Sequence, residues 1–429
     1  MKQLLVLGGG AAGILAAISA AEANPDCHVT LLEKNPRIGK KLLATGNGRC
    51  NLDNENISPD CYFTSDKKRM EQLLLAIEKA EPLDWFRNHG LLCRSDEAGR
   101  IYPYSNQAAD VLNLLLHWLE KHNVEVRCDC SVSDIDRKGA GYQVIANGEK
   151  LYADAVICAM GGKAGPQFGT DGFALEFARL CGCNIMAPYP CLVPLNCDKK
   201  QISGLSGVRV KGDASLYDGD KLLRKESGEI QFTDYGISGI AVFNLSGLMN
   251  RVKQPVISLD LFPQWSEEQL RDFFISRSKL FPEESVHSFM TGLVHHRVGS
   301  AVWKAQNLGK EERKVSTLNR EEWGKLAYGF KNWQFSQLSP TDWKNAQTTV
   351  GGIALSHLED SFQLKNCPGL YFVGETVDCA GACGGFNLHW CFGSGILAGR
   401  HAASYLKSAP KAAKSAKASP KTPAKKKKR

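Results

Sequence analysis

Gly8, Gly10 and Gly13 stand in the spacing G-x-G-x-x-G, and Glu33 follows twenty residues after the third glycine. Residues of these types at this spacing can hold a dinucleotide. The first glycine permits a tight turn, the second lets the backbone approach a pyrophosphate, and the third lets a helix pack closely on a strand. A helix opening at Ala11 and Ala12 would aim free N–H groups and the positive end of its dipole at the phosphates. A carboxylate at position 33 accepts hydrogen bonds from the hydroxyls of an adenosine ribose and disfavours a 2′-phosphate there. The chemistry needs elements to position it, and the chain has each in order: the apolar run QLLVL, the glycines, an alanine-rich helical pattern, and a second strand HVTLLE that ends at Glu33. The bland alternative is a glycine-rich turn that merely packs.

Other signatures fail on spacing. IGKK at Ile38–Lys41 lacks the Ser or Thr of a P-loop, and GISGI around Ser238 puts Ile240 where a nucleophile elbow needs glycine. His295-His296 has no third ligand at zinc spacing, so no metal is expected.

The wider composition excludes several classes. The 15 cysteines are scattered without a C-x-x-C pair, which points to reduced thiols and a cytoplasmic setting rather than disulfides. Leu4 to Ala21 carries no charge, yet its four glycines make it strand, turn and helix instead of a membrane span. The formal net charge of +8 comes from the end of the chain: residues 407–429 hold nine Lys and one Arg and no acid, leaving 43 basic against 45 acidic residues elsewhere. That Lys/Ala/Pro/Ser segment reads as a disordered basic tail, with nucleic acid bound weakly through it if at all.

Two further blocks carry a resemblance. EKNPRIGKKLLATGNGRCNLDN follows directly from Glu33, and GLYFVGETVDCAGACGGFNLHWCFGSGILAGRHAA lies near the other end, with GEIQFTDYGISGIAVFNLS between them. Together they resemble the HI0933/YhiN/BaiN-like family of NAD(P)/FAD-dependent flavoproteins, also described as aminoacetone-oxidase-like, from about Met1 to Ala403. Phe386 and His389 stand where many members have Tyr and Gln, and Ile240 where Pro is frequent. The resemblance implies an FAD cofactor and a glutathione-reductase-type Rossmann fold with a single dinucleotide site. With no second G-x-G-x-x-G after a strand, NADH or NADPH would act as a transient electron donor.

Physical reasoning gives the last block a matching role. A strand LYFVGE ending at Gly374-Glu375 would return to the first domain, and a helix starting at about Phe386 after Gly384-Gly385 would point its N–H groups at the flavin C2 carbonyl and N1. Gly393-x-Gly395 then reads as close helix packing. CDCSVSDIDRKGAGYQVIANGEKLYADAVICAMGG looks like a three-stranded antiparallel meander feeding a buried strand that ends in Gly161-Gly162, its start near Ser131-Val132 placed toward adenine. The cofactor contacts expected on these grounds are Gly8, Gly10, Ala11, Ala12, Gly13, Glu33, Lys34, Lys41, Asn47, Gly48, Arg49, Cys50, Asn51, Val132, Gly161, Gly162, Gly374, Glu375, Asp378, Gly385, Phe386 and Asn387.

The expected fold class is α/β: a Rossmann-like FAD-binding domain from residues 1–189 and 347–406, a β-rich insertion over 190–265 joined by 331–346, a helical insertion over 266–330, and the tail from 407 to 429. Arg49 is the candidate catalytic residue, orienting an anion or stabilising an oxyanion, with a structural carboxylate as its alternative partner. Cys50 reads as a packing residue before a redox thiol, Asp234 and Tyr235 as turn residues as readily as proton donors, and His389 as a packed histidine. The expected activity is NAD(P)H-linked reduction of an activated C=C, such as an enone of bile-acid type, in a small molecule. An oxygen-using amine oxidase and a flavoprotein acting on nucleic acid are the alternatives, and the oligomeric state is open.

Overall fold

The computed structural model describes residues 1–408. Its centre is a five-stranded parallel sheet in the order Leu370–Phe372, Ala155–Cys158, Lys2–Leu7, Cys27–Leu32, Glu125–Arg127. Leu4 pairs with Val29 on one side and with Ala155 on the other. The inner strands are apolar without alternation because both sides of each are buried. The chain crosses between parallel neighbours through the helix Ala11–Ala23, which Gly10 opens.

The last helix, Phe386–Ser408, lies against that first helix at van der Waals closeness. A Cβ on Gly395 would sit 2.3 Å from the Ala12 carbonyl oxygen, and one on Gly399 2.3 Å from that of Ala16. Gly393 similarly abuts Ile77, so these glycines serve helix packing. Lys407 and Ser408 belong to this helix, and Lys407 Nζ donates to the Ala23 carbonyl at 2.9 Å. The expected start of the tail at 407 is therefore corrected by two residues, the helix having carried on to satisfy the end of its neighbour. Residues 409–429 lie outside the described residues.

The meander expected after Ser131 is present as the antiparallel strands Val132–Lys138, Gly141–Ala146 and Glu149–Ala153. The chain leaves the body along Ile185–Cys191 and returns along Thr348–Ile353, and these two strands pair antiparallel. Between them lies a seven-stranded sheet ordered Trp333–Phe335, Pro255–Asp260, Arg209–Asp218, Lys221–Phe232, Gly236–Ser238, Leu195–Asn196, Ser339–Pro340. The helices Glu267–Leu280 and Arg320–Lys331, each opened by a capping box at Ser266 and Asn319, pack on it. Phe274, Trp303, Trp323 and Phe330 from the helical stretch share one apolar core with Phe232, Leu259 and Phe335 from the sheet. Sheet and helices thus form one body with one core, where a β-rich and a helical insertion were expected as two.

A helix inside the β-rich stretch, Ile240–Ser246, was not foreseen. Gly239, at φ +102°, ends the strand Gly236–Ser238 and starts this helix at the place where the chain presses on the Glu229 carbonyl. Among the described residues no helix is long and apolar enough to cross a membrane.

Candidate active site

The glycine loop lies at the carboxyl end of the strand Lys2–Leu7, and its three motif glycines divide the work. Gly8 has φ +103°, and a Cβ there would meet the Ala159 carbonyl oxygen at 2.5 Å. A Cβ on Gly13 would fall 1.9 Å from the Gly8 carbonyl oxygen, so this glycine packs helix on turn and does not reach the cavity, contrary to its expected cofactor contact. Gly10 has open space on its Cβ side. That space is a cavity of about 600 Å³ lined by Gly8, Gly10, Ala11 and Ala12, inside the range of about 300–1,000 Å³ usual for small-molecule and cofactor sites. The N–H groups of the helix's first turn are oriented toward it without a side-chain cap.

Glu33 is buried on the cavity wall. One of its oxygens accepts from the Gly9 N–H at 2.8 Å, the other from the Asn35 N–H at 2.8 Å and from Asn35 Nδ2 at 2.6 Å. These donors fix the carboxylate beside the glycine loop and leave it acceptor capacity for hydroxyls. Lys34, also on the wall, pairs with Asp171 at 2.6 Å.

The returning strand brings the other wall. Gly374, at φ +66°, lies so close to Ala12 that a Cβ would be 2.9 Å from its methyl. Glu375 pairs with Lys41 at 2.7 Å and accepts from Thr349 Oγ1 at 2.7 Å. Val132 and Gly161 also line the cavity, whereas Gly162 is turned onto Thr349 and Glu375 and does not.

The segment 46–51 is a run of left-handed backbone: Gly46, Asn47, Gly48 and Cys50 all have φ between 55° and 82°. Asn47, Arg49 and Asn51 reach the cavity; Gly48 and Cys50 do not. Cys50 is wholly buried, and burial pushes its thiol up to about 12, so it is a neutral packing residue. Arg49 is exposed at the mouth, its Nε donating to the Gly46 carbonyl at 3.1 Å and its guanidinium stacked 4.9 Å over the Tyr102 ring. Among the described residues no carboxylate pairs with it, so the expected structural alternative for Arg49 is not what holds it. Asn51 Oδ1 is buried without a hydrogen-bond partner.

At the far end Gly385 and Asn387 line the cavity, and Asn387 uses its side chain to brace Gly381, accepting from its N–H at 2.7 Å and donating to its carbonyl at 2.8 Å. Phe386 turns away to pack edge-on against Tyr62. Asp378 is also away from the cavity: it accepts from the Ser65 N–H and hydroxyl and from the Gly351 N–H. The motif acid therefore ties three chain segments together, a role the spacing alone did not separate from cofactor contact.

Asp234 and Tyr235 sit in the turn closed by the Thr233 N–H donating to Gly236, away from the cavity. Residues not expected to contact the cofactor complete the site: Tyr102 and Arg100 on one strand, Ile240 and Phe243 on the unforeseen helix, and Lys344–Thr348 on the returning chain. Asn244 holds that helix down, accepting from the Cys383 N–H at 2.8 Å and donating to Glu226 at 2.8 Å. The glycine-rich GPQFGTDG at 165–172, which adds Gln167 to Asp171, was the one local signal available. Burial raises the thiols of Cys383 and Cys391 on the wall to about 12.

One continuous cavity thus runs from the meander start at Ser131-Val132, past the glycine loop, to the Gly384-Gly385 turn. Its open Gly10 face, the carboxylate of Glu33 and the orphaned Asn51 oxygen fit an extended dinucleotide with a polar ring at one end. The family model described as the HI0933-like protein Rossmann domain matches residues 2–401. The chain belongs to the HI0933-like family. It is 34% identical over 409 residues, 94% of this chain and 99% of the relative, to the 3-dehydro-bile acid delta(4,6)-reductase of Clostridium scindens. It is 25% identical to the ribosomal RNA dihydrouridine synthase of Escherichia coli, covering 91% and 95% of the two chains. Among solved structures, the quinol fumarate reductase FrdA of E. coli superposes with a TM-score of 0.50 at 15% identity, over 96% of this chain and 72% of that one. This HI0933-like protein is a flavoprotein oxidoreductase built on a Rossmann-type FAD-binding fold with added antiparallel β structure.

Proposed function

We propose that this protein is a reductase that takes electrons from NADH or NADPH and saturates an activated C=C of a small molecule. The observation that carries this reading is the Arg49 guanidinium, stacked on Tyr102 and without a carboxylate partner among the described residues, on the wall of the same cavity as the Gly384-Gly385 turn, Ile240 and Phe243. FAD, held by the glycine loop, Glu33, Lys41, Asn51 and the turn, supplies two-electron transfer when bound. Arg49 offers hydrogen-bond donors to the carbonyl conjugated with the C=C and so stabilises the negative charge that develops on that oxygen. Ile240 and Phe243 present apolar surface to the substrate and exclude water from its reacting carbon. The relative at 34% identity is named a reductase of a 3-dehydro-bile acid, which supports an enone substrate.

The dihydrouridine synthase relative favours a second reading, a pyrimidine C=C within RNA. The near-neutral charge of residues 1–406, 43 basic against 45 acidic, speaks against a phosphate-lined docking face on the body. Anaerobic mixing with NADH and with NADPH, following loss of flavin absorbance, and then reoxidation by an enone panel, by a uridine-containing RNA and by air, separates the cases. Enone-accelerated reoxidation is expected. Acceleration by RNA alone would move the assignment to the second reading, and amine-dependent peroxide formation without any response to enones would make it an oxidase.

A further inference from the structure

His389 lies in the first turn of the last helix, its N–H bonded to the Gly385 carbonyl at 3.0 Å, with its side chain only 6% exposed. Its Nδ1 is 2.9 Å from Oδ1 of Asp53, itself 8% exposed, but off the N–H axis, and neither ring nitrogen completes a hydrogen bond. Asp53 Oδ1 accepts from the Asn54 N–H at 2.7 Å, and among the described residues no lysine or arginine pairs with it. A neutral imidazole would set either a lone pair or a misaligned N–H against this carboxylate. A charged ring would turn this close contact into an attraction between opposite charges, which is strong where water is absent, and Asp53 has no other cation beside it among the described residues.

The surrounding acids add no second negative charge beside the pair. Burial holds Tyr62, on the strand Tyr62–Phe63, well above the usual tyrosine range, and does the same for the Cys379 thiol, while Cys391 on the same helix is raised to about 12. Arg100, opposite Asn54 in the ladder, is committed to Asp96 at 2.8 Å. The pair also touches the cavity wall from behind. A Cβ on Gly385 would lie 2.2 Å from the Asp53 carbonyl oxygen, and Asn54 Nδ2 donates to the Gly384 carbonyl at 2.8 Å.

We propose that Asp53 and His389 form a buried charge pair behind the Gly384-Gly385 turn, and that the His389 imidazolium, added to the helix N-terminus, balances negative charge arriving on the cavity side of that turn. His389 is then a positioning residue for charge, acting through the turn, and this role rests on the flavin reading of the cavity. Removing the imidazolium should make electron acceptance less favourable.

The test has two arms. Imidazole ¹⁵N NMR on the flavin-free protein is expected to show His389 protonated at both nitrogens at neutral pH in the wild type and not in Asp53→Asn. In the FAD-loaded proteins, dye equilibration from pH 6 to 9 is expected to give His389→Gln a more negative potential, by at least a tenfold change in the ratio of oxidised to reduced flavin, about 30 mV for a two-electron couple. A singly protonated His389 in the wild type, or a potential for His389→Gln that overlays the wild type at every pH, overturns the proposal and leaves the flavin site standing. Should His389→Gln not fold, Asp53→Asn takes its place in the second arm with the same expected direction. Failure of the wild type to bind FAD sinks the flavin reading instead, and the NMR arm still decides whether the charge pair exists.

Discussion

Glu33 and Arg49 show how differently two charged residues can be placed on one cavity. Glu33 is buried and satisfied by three donors from Gly9 and Asn35. Glu33→Ala leaves the buried Gly9 N–H and the half-buried Asn35 N–H without their acceptor and removes the hydroxyl partner. FAD affinity is expected to fall by about 1–3 kcal/mol, the scale of charge-assisted hydrogen bonds, as measured by flavin fluorescence titration of the flavin-free protein. Unchanged affinity would remove Glu33 from the site. Arg49 is exposed, and what orients it is the Tyr102 ring and the Gly46 carbonyl. Arg49→Ala is expected to lower kcat/KM for an enone by about 10²–10³, the cost of a lost oxyanion donor. Arg49→Lys should recover little of it, since an ammonium neither stacks as a plane nor donates as a fork. Full rescue by lysine would show that charge alone matters.

The decisive element is the crossing of the first and last helices. Gly395 and Gly399 let the backbones approach until a methyl group would overlap the Ala12 and Ala16 carbonyls at 2.3 Å. Gly395→Ala sets two effects against each other: better helix propensity, worth about 1 kcal/mol, and overpacking against a backbone that cannot step aside, costing about 1–3 kcal/mol. The clash should win. Because Ala12 also lines the cavity, the variant is expected to lose flavin together with several degrees of melting temperature, read by absorbance and by thermal unfolding. An unchanged or raised melting temperature with full flavin would show that the helices can separate at no cost. The helix Ile240–Ser246 makes the complementary point: seven residues pinned by Asn244 to Cys383 bring the apolar Ile240 and Phe243 to the cavity wall.

Across the whole molecule, the body and the inserted sheet with its helices hold separate apolar cores, and the cavity is walled by residues of both. The sequence from 409 to 429 holds Ala and Pro but no larger apolar residue, so truncation after Ser408 is expected to leave flavin content and melting temperature unchanged. Loss of flavin on truncation would contradict this. Any binding of nucleic acid should disappear with the same truncation and fall steeply with salt, as lysine–phosphate contacts do.

The amino-acid sequence by itself determined the parts whose physics is local. The run QLLVL, the glycines at 8, 10 and 13, the helix after them and the acid at 33 are neighbours along the chain, and their spacing already requires a strand, a turn, a helix and a second strand. The start of the last helix at Phe386 followed in the same way from Gly384-Gly385. What the sequence left open depends on which distant segments touch. Asp378 and Cys50 stand in motifs beside true cavity residues, and only their burial against Ser65 and Gly351, or inside the core, shows that they brace and pack. Tyr102 stands in no motif, and the block that holds Ile240 and Phe243 does not say which way they face; they reach the cavity only because the ladder with Asp53 and the bond from Cys383 to Asn244 bring them there. Spacing along a chain fixes backbone geometry over a few residues, whereas the direction a side chain faces at a site assembled from remote segments is set by packing, and that the tertiary structure alone decided.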